Sequence, residues 1–305
     1  MNDQASRLRD MMEKKTKLQA NAIANRSMPK TNAGAPRVLA ITSGKGGVGK
    51  TNIVSGMALA MARTGKKVLI IDADLGLANI DIIFGIHPKY NIGHVVSGER
   101  TIKEVMAEGP MGIKIIPAGS GYTELTQLTE SQKLSLLTEF ENLDEDYDVV
   151  LVDTGAGISA NVLYFNLAAN ECILIVTMEP TSLTDAFAMM KVMATQHGYK
   201  YFKLLVNMVP DAKTAKLVYA AFSKTADQYL HDIFIEYIGF VPMDSKVRDA
   251  VIQRKPFLSL YPQSEAAESI QAIAAKILAR PSRNDAAGNI KFFFKRFIQA
   301  QSKIK

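Results

Sequence analysis

A glycine-rich segment from Gly44 to Thr51 carries the clearest chemical signature in the chain. It reads G-K-G-G-V-G-K-T and satisfies G-x-x-x-x-G-K-[S/T], between an apolar run that predicts a strand and a stretch that predicts a helix. Its glycines let backbone N–H groups turn towards phosphate oxygens, while Lys50 neutralises the terminal phosphates and Thr51 ligates Mg²⁺. We therefore expect the nucleotide contacts to come from Gly46, Gly47, Val48, Gly49, Lys50, Thr51 and Asn52.

A second lysine, Lys45, lies inside the same loop. The sequence K-G-G-V-G-K-T resembles the deviant Walker A loop of the MinD/ParA family of ATPases. The resemblance implies ATP and ADP as ligands, with Mg²⁺, and a homodimer in which Lys45 reaches the partner's nucleotide. An additional cation there stabilises the negative charge that spreads over the transferred phosphoryl group. The alternative is that Lys45 only faces solvent.

Carboxylates end two further apolar runs. Asp72 and Asp74 open D-A-D-L-G-L, which resembles the switch I segment of the same family, and Asp153 follows Val149–Val152 as in a Walker B strand. We expect Asp74 to orient the attacking water or to reach Mg²⁺ through water, and Asp153 to bind in the outer coordination sphere of Mg²⁺. Asp72 either supports the loop or merely ends the strand. The following T-G-A-G sequence, residues 154–157, would be switch II.

The base of the nucleotide is expected near Asn207, which follows another apolar run. The resemblance implies that this asparagine contacts adenine and that Pro242 and Asp244 add contacts. The guanine-reading N-K-x-D sequence is absent, because Met208 and Val209 follow Asn207, so ATP is favoured over GTP. The segment from Met178 to Asp185 resembles a family segment at the dimer face, although an ordinary capped helix start explains it equally well.

The elements around these motifs alternate between short apolar strands and helices. This alternation predicts an α/β fold, a doubly wound and mostly parallel sheet with helices on both faces. We predict a partner-binding helix at 1–20, a linker at 21–36, an ATPase domain at 37–280, a linker at 281–289 and a C-terminal helix within 290–305. Strands are predicted at 38–42, 68–71, 113–116, 149–152, 172–177, 202–206 and 235–241, and domain helices at 53–63, 130–141, 159–168, 182–195, 211–230 and 264–279.

The net charge of +6 is distributed very unevenly. Residues 1–37 carry a net +5, residues 280–305 a net +6, and residues 38–279 a net −5. The basic charge therefore belongs to two arms on an acidic domain, which argues against stable nucleic-acid binding by the domain. The single cysteine, Cys172, excludes an internal disulfide and disfavours the nitrogenase-iron-protein branch, which needs cluster cysteines.

The C-terminal arm predicts an amphipathic helix. Its apolar residues recur at helical spacing, with Lys291, Lys295 and Arg296 on the other side and Phe292 off the stripe. Large aromatic side chains flanked by cations suit an anionic membrane surface, and two copies in a dimer would raise the avidity. The alternative is a helix docked on its own domain. The apolar stripe comprises Ile290, Phe293, Phe294, Phe297 and Ile298.

The N-terminal arm contains D-Q-A-x-x-L-R, formed by Asp3, Gln4, Ala5, Leu8 and Arg9. This motif resembles the activator motif of the FlhG (FleN) flagellar number regulators, a MinD-like group. The resemblance implies stimulation of the GTPase FlhF, contacts with flagellar C-ring components and with a flagellar transcription activator, and control of flagellar number. The rivals are a ParA-type DNA-partitioning ATPase and a MinD-type division regulator. The chain shows no signal peptide, and we expect it to be cytoplasmic and reversibly membrane-associated.

Overall fold

A computed structural model describes residues 36–74, 79–119, 128–143 and 147–281, together with residues 293, 296 and 298. Its strands are β1 (Arg37–Ser43), β2 (Val68–Ala73), β3 (Ala107–Glu108), β4 (Lys114–Ile116), β5 (Val149–Ala156), β6 (Glu171–Val176), β7 (Tyr201–Val209) and β8 (Phe234–Pro242). These eight strands form one sheet in the order β3-β4-β2-β5-β1-β6-β7-β8, and only β3 is antiparallel to its neighbour. The predicted doubly wound, mostly parallel α/β fold is confirmed.

Helices cover both faces of the sheet. Within the described residues, no helix is long and apolar enough to cross a bilayer. The helices are α1 (Lys50–Arg63), α2 (Ile80–Phe84), α3 (Ile92–Val96), α4 (Ile102–Val105), α5 (Glu130–Glu141), α6 (Ala160–Ala168), α7 (Pro180–His197), α8 (Ala212–Tyr229), α9 (Ser245–Ile252), α10 (Phe257–Leu260) and α11 (Glu265–Leu278).

The central strands are continuous apolar runs because both of their faces are covered. In β1, Leu39 and Ile41 join the core beneath α1 and α11, while Val38 and Ala40 project to the opposite face, beneath α3 to α6. Successive side chains of a strand point to opposite faces, so one run of apolar residues supplies two cores. This arrangement fixes β1 in the middle of the sheet.

The sequence misses the short elements between β2 and β4, and also α9 and α10. Helices α3 and α4 span only five and four residues. Both begin with a capping box, Asn91 with His94 and Thr101 with Glu104. Elements this short contain little more than one helical turn, so no apolar period reveals them. Their positions depend on caps and on packing against α5.

The parallel strands direct their carboxyl ends to one edge of the sheet. Ser43, Ala73, Ala156 and Val209 end β1, β2, β5 and β7 on that edge. Open parallel sheets bind ligands in the crevice outside these ends. The motifs identified in the sequence are therefore brought together there, although they are separated along the chain.

Two described residues of the C-terminal arm pack on the domain. Phe293 is helical and only 2% exposed, and its ring stacks on Phe165 of α6 with a centroid separation of 6.3 Å. Ile298 packs against the same core, while Arg296 is partly exposed. In this state Phe293 and Ile298 are therefore docked on the chain's own domain, which is the alternative to membrane binding given above. Ile290, Phe294 and Phe297 lie outside the described residues, as does the whole N-terminal motif.

Candidate nucleotide-binding site

The phosphate loop joins the end of β1 to the start of α1, as the sequence predicts. Gly47 and Gly49 have φ of +80° and +89°, in the left-handed region that favours glycine. Gly49 is also the residue that precedes α1, and its carbonyl accepts the first helical hydrogen bond from Ile53 at 3.0 Å. The loop therefore directs the N-terminus of a fourteen-residue helix at the site, where it favours phosphate.

The first glycine of the loop is required by packing. A Cβ atom at Gly44 would lie 2.1 Å from the backbone carbonyl carbon of Asp185 and 2.3 Å from the backbone nitrogen of Ala186. Helix α7 consequently lies directly against the loop. By contrast, a Cβ at Gly46 would meet nothing within 4 Å, which leaves room on that side for phosphate oxygens.

Lys50 is a buried cation in this loop. Its Nζ donates to the Ser43 hydroxyl at 3.0 Å, and that hydroxyl in turn donates to the Lys45 carbonyl at 2.7 Å. Burial lowers the pKa of Lys50, while the charges of Asp153 and Asp74 act in the opposite direction. The ammonium is thus held in the loop by a hydroxyl, with two carboxylates near enough to favour its charged form.

Asp153 and Asp72 lie side by side, as register partners in β5 and β2. The carboxyl of Asp153 accepts a hydrogen bond from Thr51, but its Oδ1 is buried without a hydrogen-bond partner in the described structure. Burial raises the pKa of Asp153 to about 7. Burial, reinforced by Asp153, also raises the pKa of Asp72. An orphaned carboxylate oxygen beside a threonine hydroxyl fits a hydrated Mg²⁺, which prefers oxygen ligands and keeps several waters.

Asp74 lies just beyond β2, on the same edge. Its backbone N–H donates to Asp72 Oδ1 at 3.1 Å, so Asp72 supports this turn as expected. Its own Oδ1 lies 3.5 Å from where a Cβ at Gly155 would stand. The carboxylate of Asp74 therefore contacts the segment predicted as switch II. Residues 75–78 lie outside the described residues, and the role of Asp74 towards water stays a prediction.

A cavity of about 530 Å³ opens beside the loop at the ends of β7 and β8. Asn207 lies at its edge, but its Nδ2 donates to the Val48 carbonyl at 2.7 Å, so the side chain also anchors the loop. Both oxygens of Asp244 accept backbone hydrogen bonds, from Lys246 and from Ala266. Asp244 thus fixes the start of α9 and ties it to α11. The lining includes Asn52, Asn207, Met208, Pro242, Asp244, Val247, Arg248 and Phe257.

The side chain of Lys45 lies outside the buried site that holds Lys50. Its Nζ lies 2.8 Å from Glu179 Oε2 and 3.0 Å from the Thr181 hydroxyl, at the start of α7. The Lys45 side chain is 39% exposed. The sequence identified the segment 178–185 only through a loose resemblance, and nothing local in it indicated a partner for Lys45.

Met208 is the residue that sequence reasoning passed over. In the sequence, Met208 only breaks the guanine-reading pattern, yet in the structure it lines the cavity and adopts a left-handed backbone with φ of +55°. An apolar residue just beyond a predicted strand gives no signal of this kind.

Comparisons with known proteins agree with this geometry. Residues 36–204 match a family model described as an AAA domain. The chain is 38% identical to the antiactivator FleN of Pseudomonas aeruginosa over 86% of this chain and 94% of that protein. It is 33% identical to the flagellum site-determining protein YlxH of Helicobacter pylori over 98% and 99%. A solved structure of MinD with Mg-ADP from Pyrococcus horikoshii shares the fold, with a TM-score of 0.65, 22% identity and coverage of 80% and 97%.

Fold and loop together define a P-loop nucleotide hydrolase of the MinD/ParA type. The chain belongs to the MinD/ParA family of P-loop ATPases, in the branch that includes the antiactivator FleN and the flagellum site-determining protein YlxH. It is an ATPase that uses ATP and ADP with Mg²⁺. When bound, Mg²⁺ neutralises charge on the phosphates.

The residues of the chain itself have separable tasks in this chemistry. With nucleotide bound, the backbone from Gly46 to Gly49 would enclose phosphate oxygens, and Lys50 would hold positive charge against them. Thr51 and Asp153 present the oxygens that would hold the metal and its waters.

Asp153→Asn tests the buried carboxylates. The pKa of Asp153 in the fold, about 7, lies above its ordinary value of 3.8, so the folded protein binds this proton more tightly than the unfolded chain. Stability is therefore retained at low pH and lost as pH rises through about 4 to 7. Without Mg²⁺ or nucleotide, we expect the free energy of unfolding of the unmodified protein to fall by roughly 2–4 kcal/mol across this range because of Asp153. The asparagine variant should not show this loss.

Urea unfolding with EDTA at pH 5 and pH 8 measures this difference. Asp249→Asn, at a half-exposed position on α9, is the control and should follow the unmodified protein. An equal loss of stability between the two pH values in all three proteins would contradict the assignment.

Proposed function

We propose that this chain is a molecular switch that dimerises with ATP, binds the membrane reversibly and regulates flagellar number and placement. In this proposal ATP joins two subunits, and hydrolysis separates them. The similarity to FleN and YlxH, an antiactivator and a flagellum site-determining protein by name, supports the flagellar role. The switching mechanism is inferred from the separate positions of the two loop lysines, Lys45 and Lys50.

Lys50 is buried in its own loop, whereas Lys45 is held at the surface by Glu179 and Thr181. In this position the Lys45 ammonium pairs with residues at the start of α7. It is available to a second copy of the chain whose nucleotide faces this edge. There it would stabilise charge on the transferred phosphoryl group, so catalysis would depend on dimerisation.

Asp74 is the proposed water-orienting residue. It lies between the Asp72 turn and Gly155, where a change in the phosphate-bound state can move it. A general base must reach the attacking water while the terminal phosphate is in place. Removing its carboxylate should therefore impair hydrolysis and leave nucleotide binding intact.

Asp74→Ala should retain ATP binding, accumulate as a dimer and lose turnover about 100-fold or more. Phosphate release and light scattering after size exclusion measure both effects. Lys45→Ala is the matched variant: it should bind ADP normally but fail to dimerise with ATP, whereas Lys50→Ala should not bind nucleotide. Undiminished turnover in Asp74→Ala would refute this role.

Membrane binding would require the C-terminal helix to leave the domain. Phe293 cannot contact lipid while its ring is buried against Phe165. Once released, Phe293 and the neighbouring apolar residues would enter the headgroup region, with Lys291, Lys295 and Arg296 towards anionic lipid. One such helix binds weakly, so a dimer with two copies would bind far better.

Substitutions at this contact should shift vesicle binding in opposite directions. Phe293→Glu should abolish ATP-dependent co-sedimentation with vesicles containing phosphatidylglycerol, since a carboxylate cannot enter the apolar region. Phe165→Leu should increase binding in ADP, because it weakens the docked contact and leaves the stripe intact. Leu217→Glu, at an exposed position on α8, is the control. Persistent binding of Phe293→Glu would argue against the anchor.

The N-terminal motif supports FlhF as a partner, alongside C-ring components and a flagellar transcription activator. Among the rival functions, division-site regulation shares the ATPase and the anchor but lacks this motif. DNA partitioning would place basic charge on the folded dimer, whereas residues 38–279 are net −5. The FlhF assay below separates the flagellar proposal from both rivals.

Deletion of residues 1–10 should leave basal ATP hydrolysis unchanged and abolish stimulation of FlhF, measured as GTP turnover with and without the full chain. A peptide spanning residues 1–20 should restore the stimulation, and the same peptide with Leu8 and Arg9 replaced by alanine should not. Stimulation by the deleted protein would overturn the motif's assignment.

A further inference from the structure

Met208 occupies a strained position at the carboxyl edge of the sheet. Asn207 pairs with Val241 and Val209 pairs with Pro242, so Met208 is an extra residue, a bulge in β7 opposite β8. Its φ of +55° is left-handed, a conformation that non-glycine residues seldom adopt. Bulges near functional sites redirect a side chain, and strain persists where the surrounding structure enforces it.

The bulge turns the Met208 side chain towards the phosphate loop. Its Cε lies 3.2 Å from where a Cβ at Gly49 would stand, and the Nδ2 of Asn207 lies 2.5 Å from the same point. Gly49 therefore lies beneath both side chains and has no room for one of its own. Met208 closes the loop side of the cavity, which Pro242 and Val247 also line.

The cavity has the properties of a binding site for a flat aromatic ring. Its volume of about 530 Å³ is within the range of ligand pockets, and its lining is mainly apolar. It adjoins the last glycine of the loop, where a base attached to loop-bound phosphates must lie. A thioether is polarisable and makes favourable contacts with aromatic rings.

We propose that Met208 is the platform on which the nucleotide base rests, and that the β7 bulge exists to direct its thioether there. The proposal rests on the proposed ATP-dependent switch and on the expectation that adenine lies beside Asn207, and it adds a second residue to that contact. Met208 contacts the base and contributes to affinity for nucleosides, whereas Lys50 and the loop backbone bind the phosphates. Affinity for the base and affinity for the phosphates should therefore be separable by substitution.

Met208→Ala should weaken ADP binding about fivefold to tenfold and leave the binding of inorganic tripolyphosphate unchanged, both measured by calorimetry with Mg²⁺. Met208→Gly should weaken ADP binding equally, yet melt at a higher temperature than Met208→Ala without nucleotide, because glycine relieves the left-handed backbone. The matched control is Met111→Ala, since Met111 also has a positive φ, +59°, but does not line the cavity.

Two outcomes would overturn the platform: unchanged ADP affinity in Met208→Ala, or a parallel loss of tripolyphosphate binding, which would make Met208 a support for the loop. Val247→Trp tests the cavity itself, because an indole there would fill the space of the base. If Val247→Trp weakens ADP binding while Met208→Ala does not, only the platform fails. If Val247→Trp also leaves ADP binding unchanged, the base lies elsewhere.

Discussion

One buried ammonium, that of Lys50, shares the carboxyl edge of the sheet with the carboxylates of Asp72, Asp74 and Asp153. Burial disfavours charge on Lys50, Asp72 and Asp153, and the carboxylates outnumber the cation. Burial is the main cause of the raised pKa values of Asp72 and Asp153, and neighbouring carboxylates reinforce it. Bound Mg²⁺ would add positive charge near Asp153, whose Oδ1 has no hydrogen-bond partner among the described residues. The negative charge of the carboxylates is therefore compensated only when the metal is bound.

The same edge depends on two residues that lack a side chain. Gly44 allows the backbone of α7 to lie against the loop, and Gly49 allows Asn207 and Met208 to lie over it. Through these contacts the loop adjoins the start of α7, where Glu179 holds Lys45, and the cavity at the end of β7. Phosphate contacts, the proposed dimer face and the proposed base site therefore meet at a single loop.

Much of the fold followed from the sequence because its strands are continuous apolar runs and its longer helices keep a clear period. The predicted bounds of α5 at 130–141 agree with the structure, and the other long elements differ by only a few residues. The four-residue α4 and the two-residue β3 carry no period and were missed. Within the site, Lys50, Thr51, Asp72 and Asp153 gather at the predicted edge, since parallel strands necessarily align their carboxyl ends.

The sequence by itself determined the chemistry: a phosphate loop with a second lysine, carboxylates at strand ends, and basic arms on an acidic domain. Only the tertiary structure decided that Lys45 pairs with Glu179, that Phe293 is buried against Phe165, and that Met208 bulges towards Gly49. The physical reason is the separation along the chain of the residues in contact. Motifs and periodicity reflect neighbours along the chain, whereas these contacts join residues more than a hundred positions apart and arise only when the layers pack.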